Sequence, residues 1–273
     1  MIQINDLSHR FPNGNLALDS VNLNIKKGEF VVIAGRNGSG KSTLVRHMNA
    51  LLLPSSGNVI VNGMGSSDQK DHWDIRQAVS MVFQNPDSQF VGMTVEEDVA
   101  FGLENLGMAS DNIRESVDRC LQFAGLSEYS KTSPIHLSGG QKQKVAIASV
   151  LAMYPECIIF DEVTSMLDHA SCNDVMDLIN SVHKAGKTVI HVTHRLEEAT
   201  TADRLIVMDA GRIVLDDTPS NIFLSGKVSD FGLELPPIIA LAKKFKDSGI
   251  LQGYLALSKD ELLEDLCQLI LKT

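Results

Sequence analysis

The sequence predicts an α/β fold: a sheet with parallel central strands, a helical insertion at about residues 85–155, and a small helical extension over 225–273. Three observations carry this. The run "FVVIAG" is continuously apolar, as a strand covered on both faces must be, and a glycine-rich loop and a helix from Lys41 to about Ala50 follow it. Strands recur at "NVIV", "AVSMVF", "CIIFD" and "TVIHVTH", separated by helical stretches, which is the alternation of an α/β sheet. Between Gln84 and Pro155 the strand signal disappears.

At the start of the chain, "IQINDL" and "VNLNI" alternate apolar and polar residues, the pattern of half-buried strands. The insertion holds three helical candidates, "TVEEDVAFGLENLG", "SDNIRESVDRCLQFAG" and "GGQKQKVAIASVLAM". "RLIVMDAGRIVLDD" reads as a hairpin turning at Asp209 to Gly211. Past Phe223 the composition changes, and "SGKVSDFGLELPP" reads as a linker from a first domain, 1–224, to the extension. Ser258 and Glu261 match a capping box, and Leu262, Leu263, Leu266, Leu269 and Ile270 share one helical face. That face either docks on its own domain or joins an oligomer.

With 44% hydrophobic residues over 273 positions the chain can build a large core. The net charge of −10 repels phosphate backbones on average, so nucleic acid is not the expected partner. Cys120, Cys157, Cys172 and Cys267 form no C-x-x-C pair, and reduced thiols in a reducing compartment fit them best. No window approaches the ~20 apolar residues that span a bilayer, and the N-terminus lacks a secretory pattern, so the chain is not expected to enter the membrane itself.

Three motifs carry chemistry. "GRNGSGKS", Gly35 to Ser42, sits between an apolar strand and a helix, the context a phosphate loop requires. Its glycines let backbone N–H groups converge on phosphates, Lys41 reaches the β and γ oxygens, and the Ser42 hydroxyl can ligate Mg²⁺. "CIIFDE" is an apolar strand ending in two carboxylates: Asp161 suits a Mg²⁺ shell, and Glu162 suits the orientation or deprotonation of an attacking water. In "LSGGQKQ", Ser138 to Gly140 open a helix and offer N–H groups at its positive end, a second phosphate site by physics alone.

Phe11, "GRNGSGKST", Gln84, "LSGGQKQ", "IIFDEVTSMLD" and His194 in "VTHRLEEA" occur in the order that resembles ATP-binding cassette (ABC) ATPases, over about residues 2–224. The resemblance implies a P-loop NTPase of ABC type: a nucleotide-binding domain with a helical signature subdomain, acting on ATP with Mg²⁺. It implies nucleotide contacts from Phe11, which would stack on adenine, and from Gly35, Arg36, Asn37, Gly38, Ser39, Gly40, Lys41, Ser42 and Thr43. Mg²⁺ would be held by Ser42, Gln84 and Asp161. Catalysis would rest on Glu162, His194, Gln84 and Lys41, with His194 on the γ-phosphate. Two cassettes would pair head to tail, so that Ser138, Gly139, Gly140 and Gln141 act on the partner's nucleotide and Asp168 bridges the two.

"WDIRQAVSMVFQNPDSQFVGMTVEEDVAFGLENLGM" and "DFGLELPPIIALAKKFKDSGI" are similar to the ATPases of energy-coupling factor (ECF) transporters, most like the first of their two paralogues. That implies a second homologous ATPase, an integral membrane coupling subunit and a substrate-binding membrane subunit as partners, uptake of vitamins or related micronutrients, and a peripheral place on the cytoplasmic face of the cell membrane. The extension then reads as an oligomerisation element. Lys144, Ser149 and Arg195 depart from the usual pattern around the signature and the histidine. Competing readings are a conventional importer ATPase for metals or amino acids and a soluble ABC protein; the second normally needs two cassettes or a long coiled coil. The loop "NPDSQFVGMTVEEDVAFG" puts Phe90, Val91 and Met93 where a membrane subunit's helix would dock, with Glu96, Glu97 and Asp98 expected to pair with basic residues on that subunit.

Overall fold

The structure, a computed structural model, describes residues 1–251 and 255–272, with side chains described through residue 268. Strands β1 (Ile2–Arg10), β2 (Leu16–Ile25), β4 (Ser56–Val61) and β5 (Met64–Gly65) form an antiparallel sheet in the order β2-β1-β4-β5. The larger sheet contains β3 (Phe30–Ala34), β6 (Val79–Val82), β7 (Cys157–Asp161), β8 (Thr188–Thr193), β9 (Arg204–Asp209) and β10 (Arg212–Asp217). Its order is β10-β9-β3-β8-β7-β6, parallel except at β10, which returns antiparallel to β9 through the expected hairpin.

Continuous apolar runs in these strands follow from two cores, one on each face. In β3, Phe30, Val32 and Ala34 point to one hydrophobic cluster while Val31 and Ile33 point to the other. β7 divides likewise, with Ile158 and Phe160 on the first side and Cys157 and Ile159 on the second. The second cluster is closed by the antiparallel sheet and by α1 (Lys41–Met48), whose Leu44, Val45 and Met48 are fully buried in it. The helix after the glycine-rich loop is thereby packed into one core of the molecule.

The first cluster is covered by helices. After the short α2 (His72–Ala78), whose end sets the start of β6, come α3 (Val95–Asn105), α4 (Ser110–Phe123) and α5 (Gly139–Ala152), the three expected in the insertion. Thr94 caps α3 with Glu97, and Ser138 caps α5 with Gln141, each through a reciprocal capping box. Val145, Ile147 and Ala148 of α5 are buried, as are Val175, Ile179 and Val182 of α6 (His169–Lys184).

The segment expected to be a linker is packed instead. Beyond α7 (Pro219–Ser225) it forms a short 3-10 turn at Lys227–Phe231, with Val228 and Leu233 buried in the first cluster. Each such side chain contributes about 1.5–3 kcal/mol, and its glycines and serines hide that apolar content from a composition reading. From α8 (Pro237–Asp247) Ile239 and Ala242, and from α9 (Lys259–Lys272) Leu262, join the same cluster, so the extension docks on its own domain. Leu266 is half-buried and Leu263 exposed; the Leu269 and Ile270 side chains lie outside the described residues. The cap of α9 also differs from a simple box: Ser258 Oγ accepts from Glu261 N at 3.2 Å, but the Glu261 carboxylate reaches one residue further, to Leu257 N at 2.8 Å. Cys120, Cys157 and Cys172 are buried free thiols, and Cys267 is exposed. Among the described residues no helix is long and apolar enough to cross a membrane.

Candidate functional site

The glycine-rich loop leaves the end of β3 and enters α1 at Gly40, whose φ is 104°. A Cβ there would lie 2.7 Å from the Ala17 carbonyl oxygen and 3.4 Å from Gly211 Cα, so only glycine lets the loop nest between β2 and the β9–β10 turn. Lys41 is buried, its Nζ donating to the carbonyls of Gly35 at 2.9 Å and Arg36 at 3.1 Å, with Glu162 Oε1 3.5 Å away. Burial pushes the Lys41 pKa down, against the opposing pull of the Glu162 and Asp161 carboxylates. Ser42 Oγ donates to Asp161 Oδ1 at 2.8 Å. Asp161 is itself buried, which raises its pKa, while the Ser42 bond and the nearby Arg46 lower it.

Glu162 follows β7 with a left-handed φ of 53°, and its N–H donates to the Val192 carbonyl of β8 at 3.0 Å. That turn carries its carboxylate to a cavity of about 680 Å³ lined also by Phe11, Asn37, Gly38, Gly40, Lys41, Ser42, Thr43 and Gln84. Gln84 Nε2 donates to Ser165 Oγ at 3.0 Å, and Ser165 Oγ donates to the Glu162 carbonyl at 2.8 Å, which ties the end of β6 to the Glu162 turn. Phe11 lies edge-on to His9 at 4.8 Å between ring centres. Asn15, Leu16, Ala17, Ala210 and Gly211 also line the cavity and were not singled out from sequence; only the hairpin turn signal at 209–211 pointed there.

These residues fit a nucleoside triphosphate with Mg²⁺. Lys41 on the cavity wall supplies a cation for phosphate oxygens, and Ser42 with Asp161 offers a hydroxyl and a carboxylate, hard oxygens of the kind Mg²⁺ takes alongside phosphate. Gly35, Arg36 and Ser39 belong to the loop without lining the cavity. His194 is exposed just past β8, also off the cavity wall.

Ser138, Gly139, Gly140 and Gln141 are not part of this cavity. Ser138 and Gly139 are exposed, and a Cβ on Gly140 would lie 2.8 Å from Ser171, so the head of α5 sits against the head of α6. Asp168 caps α6, accepting from Ser171 N at 3.0 Å, and is exposed. The turn at Ser138–Gly139 and Asp168 therefore lie together, off the cavity that the glycine-rich loop lines.

A second cavity, about 600 Å³, opens between α2 and the helical insertion, with Trp73, Val91, Phe101 and Met153 in its lining. Trp73, Val91 and Met93 are 58%, 61% and 83% exposed, whereas Phe90 is half-buried against the core. Of the acidic run beside it, Asp98 is not free for a partner, contrary to expectation, while Glu97 is exposed and Glu96 half-buried. Asp98 is buried and accepts from Val91 N at 2.8 Å, Gly92 N at 3.2 Å and Ser149 Oγ at 2.9 Å. Glu97 accepts from Met93 N and Thr94 N, and Glu96 pairs with Lys131. These carboxylates hold the loop that walls the groove, because a helix N-terminus and its preceding N–H groups favour anions.

Residues 18–165 match the ABC transporter family. The energy-coupling factor transporter ATP-binding protein EcfA of Methanosarcina acetivorans is 48% identical over the whole of both chains, and EcfA1 of Clostridium novyi is 52% identical over 93% of this chain and 91% of its own. Among solved structures, cbiO1 from Clostridium perfringens, part of the ABC transporter complex cbiONQ, superposes with a TM-score of 0.78 at 36% identity, covering 88% of this chain and 97% of that one. The ATP-binding cassette MJ0796, a dimer in a post-hydrolysis state bound to ADP and Pi, gives 0.73 at 32% identity over 80% of this chain and 99% of its own. The chain belongs to the ABC transporter family, as an ATP-hydrolysing ATP-binding protein of the energy-coupling factor type.

Proposed function

We propose that the chain is the ATPase of an ECF-type importer, paired head to tail with a homologous ATPase on the cytoplasmic face of the membrane, and that it drives uptake of a vitamin or related micronutrient through membrane subunits. The carrying observation is the division of the motifs. One cavity is lined by Lys41, Ser42, Gln84 and Glu162, while Ser138, Gly139 and Asp168 are exposed away from it, so each nucleotide needs a second cassette to be enclosed.

In this reading Phe11 stacks on adenine, and the N–H groups of residues 37–43 cradle the phosphates. Lys41 exchanges its bonds to the Gly35 and Arg36 carbonyls for the β and γ oxygens. Ser42, Asp161 and Gln84 would hold Mg²⁺, which would supply positive charge to offset that of the phosphates. Glu162 then orients and accepts a proton from the attacking water, and His194 contacts the γ-phosphate once the cassettes close. The groove beside Trp73 and Val91 takes a short helix of the membrane coupling subunit. Gln89 supports a link between the two: it accepts from Phe83 N at 3.2 Å and donates to the carbonyls of Phe83 and Asn85, so a shift at Gln84 reaches the groove lining. Work is extracted because the groove meets its partner differently in the two states. The extension, 225–273, supports pairing through the exposed Leu241, Ile250 and Leu263.

The test is Glu162→Gln in the assembled complex. ATP binding should persist while turnover falls by about 10² to 10⁴. Turnover at the wild-type rate removes Glu162 from the mechanism.

A further inference from the structure

Glu198 lies outside the cavity wall, four residues past His194 in the 3-10 turn Leu196–Ala199, and its side chain is 3% exposed. Several segments supply it with donors. Thr164 Oγ1 donates to Oε1 at 2.8 Å, and His191 Nε2 meets Oε2 at 2.7 Å. Cys172 Sγ stands 3.4 Å from Oε1 and Arg195 Nε 3.7 Å. Burial opposes ionisation here, but the hydrogen bonds from His191 and Thr164 help to outweigh it and hold the carboxyl well below the usual range.

The identity of these partners is informative. Thr164 stands two residues after Glu162, and Cys172 is in the first turn of α6, where its N–H donates to the Asp168 carbonyl at 2.8 Å. His191 and Thr193 end β8, and Arg195 directly follows His194. One carboxylate thus meets all three segments that carry Glu162, Asp168 and His194. Stability alone is a poor reason for such an arrangement, because a buried charged cluster is often no more stabilising than apolar side chains of the same volume. A need for fixed geometry is a better one. Glu162 holds a left-handed backbone, a conformation that persists only where its surroundings over-determine it.

We infer that Glu198 is a positioning residue for ATP hydrolysis: through Thr164, His191 and Cys172 it fixes the Glu162 turn against the His194 loop and the Asp168 turn. The inference rests on the assignment of Glu162 and His194 to hydrolysis. Bond by bond, Thr164 is the arm that reaches the Glu162 turn, and its hydroxyl can be removed with little change in volume.

The experiment compares Thr164→Val and Thr164→Ser in the assembled transporter, with Glu162→Gln as the control for the site itself. Thr164→Val should lower kcat by about 10- to 100-fold, since small misplacements of a reacting group cost that much, with ATP affinity held within about twofold. Thr164→Ser restores the hydroxyl and should restore kcat. A wild-type kcat in Thr164→Val, a parallel loss of ATP affinity, or failure of Thr164→Ser to recover kcat overturns the positioning role. If Thr164→Val does not assemble, Glu198→Gln is read by the same split between kcat and ATP affinity, and a wild-type kcat or a parallel loss of affinity overturns it. Normal turnover in Glu162→Gln would instead overturn the assignment of the site, which keeps the two failures apart.

Discussion

Replacing Asp98 by alanine should both destabilise the protein and loosen the wall of the groove. The alanine leaves Val91 N and Gly92 N without an acceptor and takes from Ser149 Oγ its bond to the carboxylate, though Ser149 keeps its 3.0 Å bond to the Val145 carbonyl. Hydrogen bonds to a charged group contribute about 1.5–3 kcal/mol each. Two of the three are short, so a total of about 3–6 kcal/mol follows from those two. At about 2–4 °C per kcal/mol for a chain near this size, the unfolding midpoint should fall by about 6–24 °C. Asp98→Asn separates the acceptor from the charge: its Oδ1 can still accept from both N–H groups, and the Ser149 hydroxyl can turn to accept from the amide. That variant should lose about 1 kcal/mol. Thermal unfolding of both variants, with ATP binding measured alongside, checks the ranking. Equal midpoints for Asn and Ala, or an Ala variant within about 1 kcal/mol of the wild type, would show that the loop does not hang on this carboxylate.

Three other outcomes follow from the geometry. Ser138→Arg should spare ATP binding at the chain's own phosphate loop and impair the partner's nucleotide site, beyond the roughly 1 kcal/mol lost with the helix cap; nucleotide crosslinking that finds its own loop empty contradicts pairing in trans. Val91→Ser with Met93→Ser should weaken association with the membrane coupling subunit, leaving ATP affinity and the unfolding midpoint nearly unchanged because both side chains are exposed; undiminished co-purification and transport would make the loop a bystander. The Glu198 carboxyl is depressed from 4.5 to about 2, so its stabilisation is present above the ordinary value and lost as pH falls toward the folded one. The gap in stability between wild type and Glu198→Gln should therefore narrow by up to about 3 kcal/mol as pH drops from about 5 toward about 2, read by urea unfolding; a constant gap is the contrary result.

The central strands of the larger sheet were legible because both their faces are buried, and the glycine-rich loop because strand, glycines and helix are contiguous in sequence. The packed segment 226–237 was not, since Val228 and Leu233 are spaced among turn formers and find their core only in three dimensions. The three departures from the family pattern also became intelligible only with their partners visible. Ser149 bonds Asp98, Lys144 pairs with Asp174 at 3.1 Å, and Arg195 lies beside Glu198. Glu198 itself gave no signal in sequence beyond its place in "LEEA", because the groups that make it informative come from β8, the Glu162 turn and α6. Asp98 misled for the same reason: it reads as one of three adjacent solvated charges until its N–H and hydroxyl partners are seen.

At Glu162, the left-handed backbone sets selection for folding against selection for turnover. A residue with a full Cβ costs roughly 1–2 kcal/mol in that conformation, whereas glycine adopts it freely and asparagine readily. A population of variants screened only for thermal persistence should therefore drift toward Gly or Asn at position 162, while one screened for ATP turnover should keep Glu. The position would then record which pressure a lineage has been under. A cassette that has become a passive member of its pair is free to shed the carboxylate and gain stability by doing so.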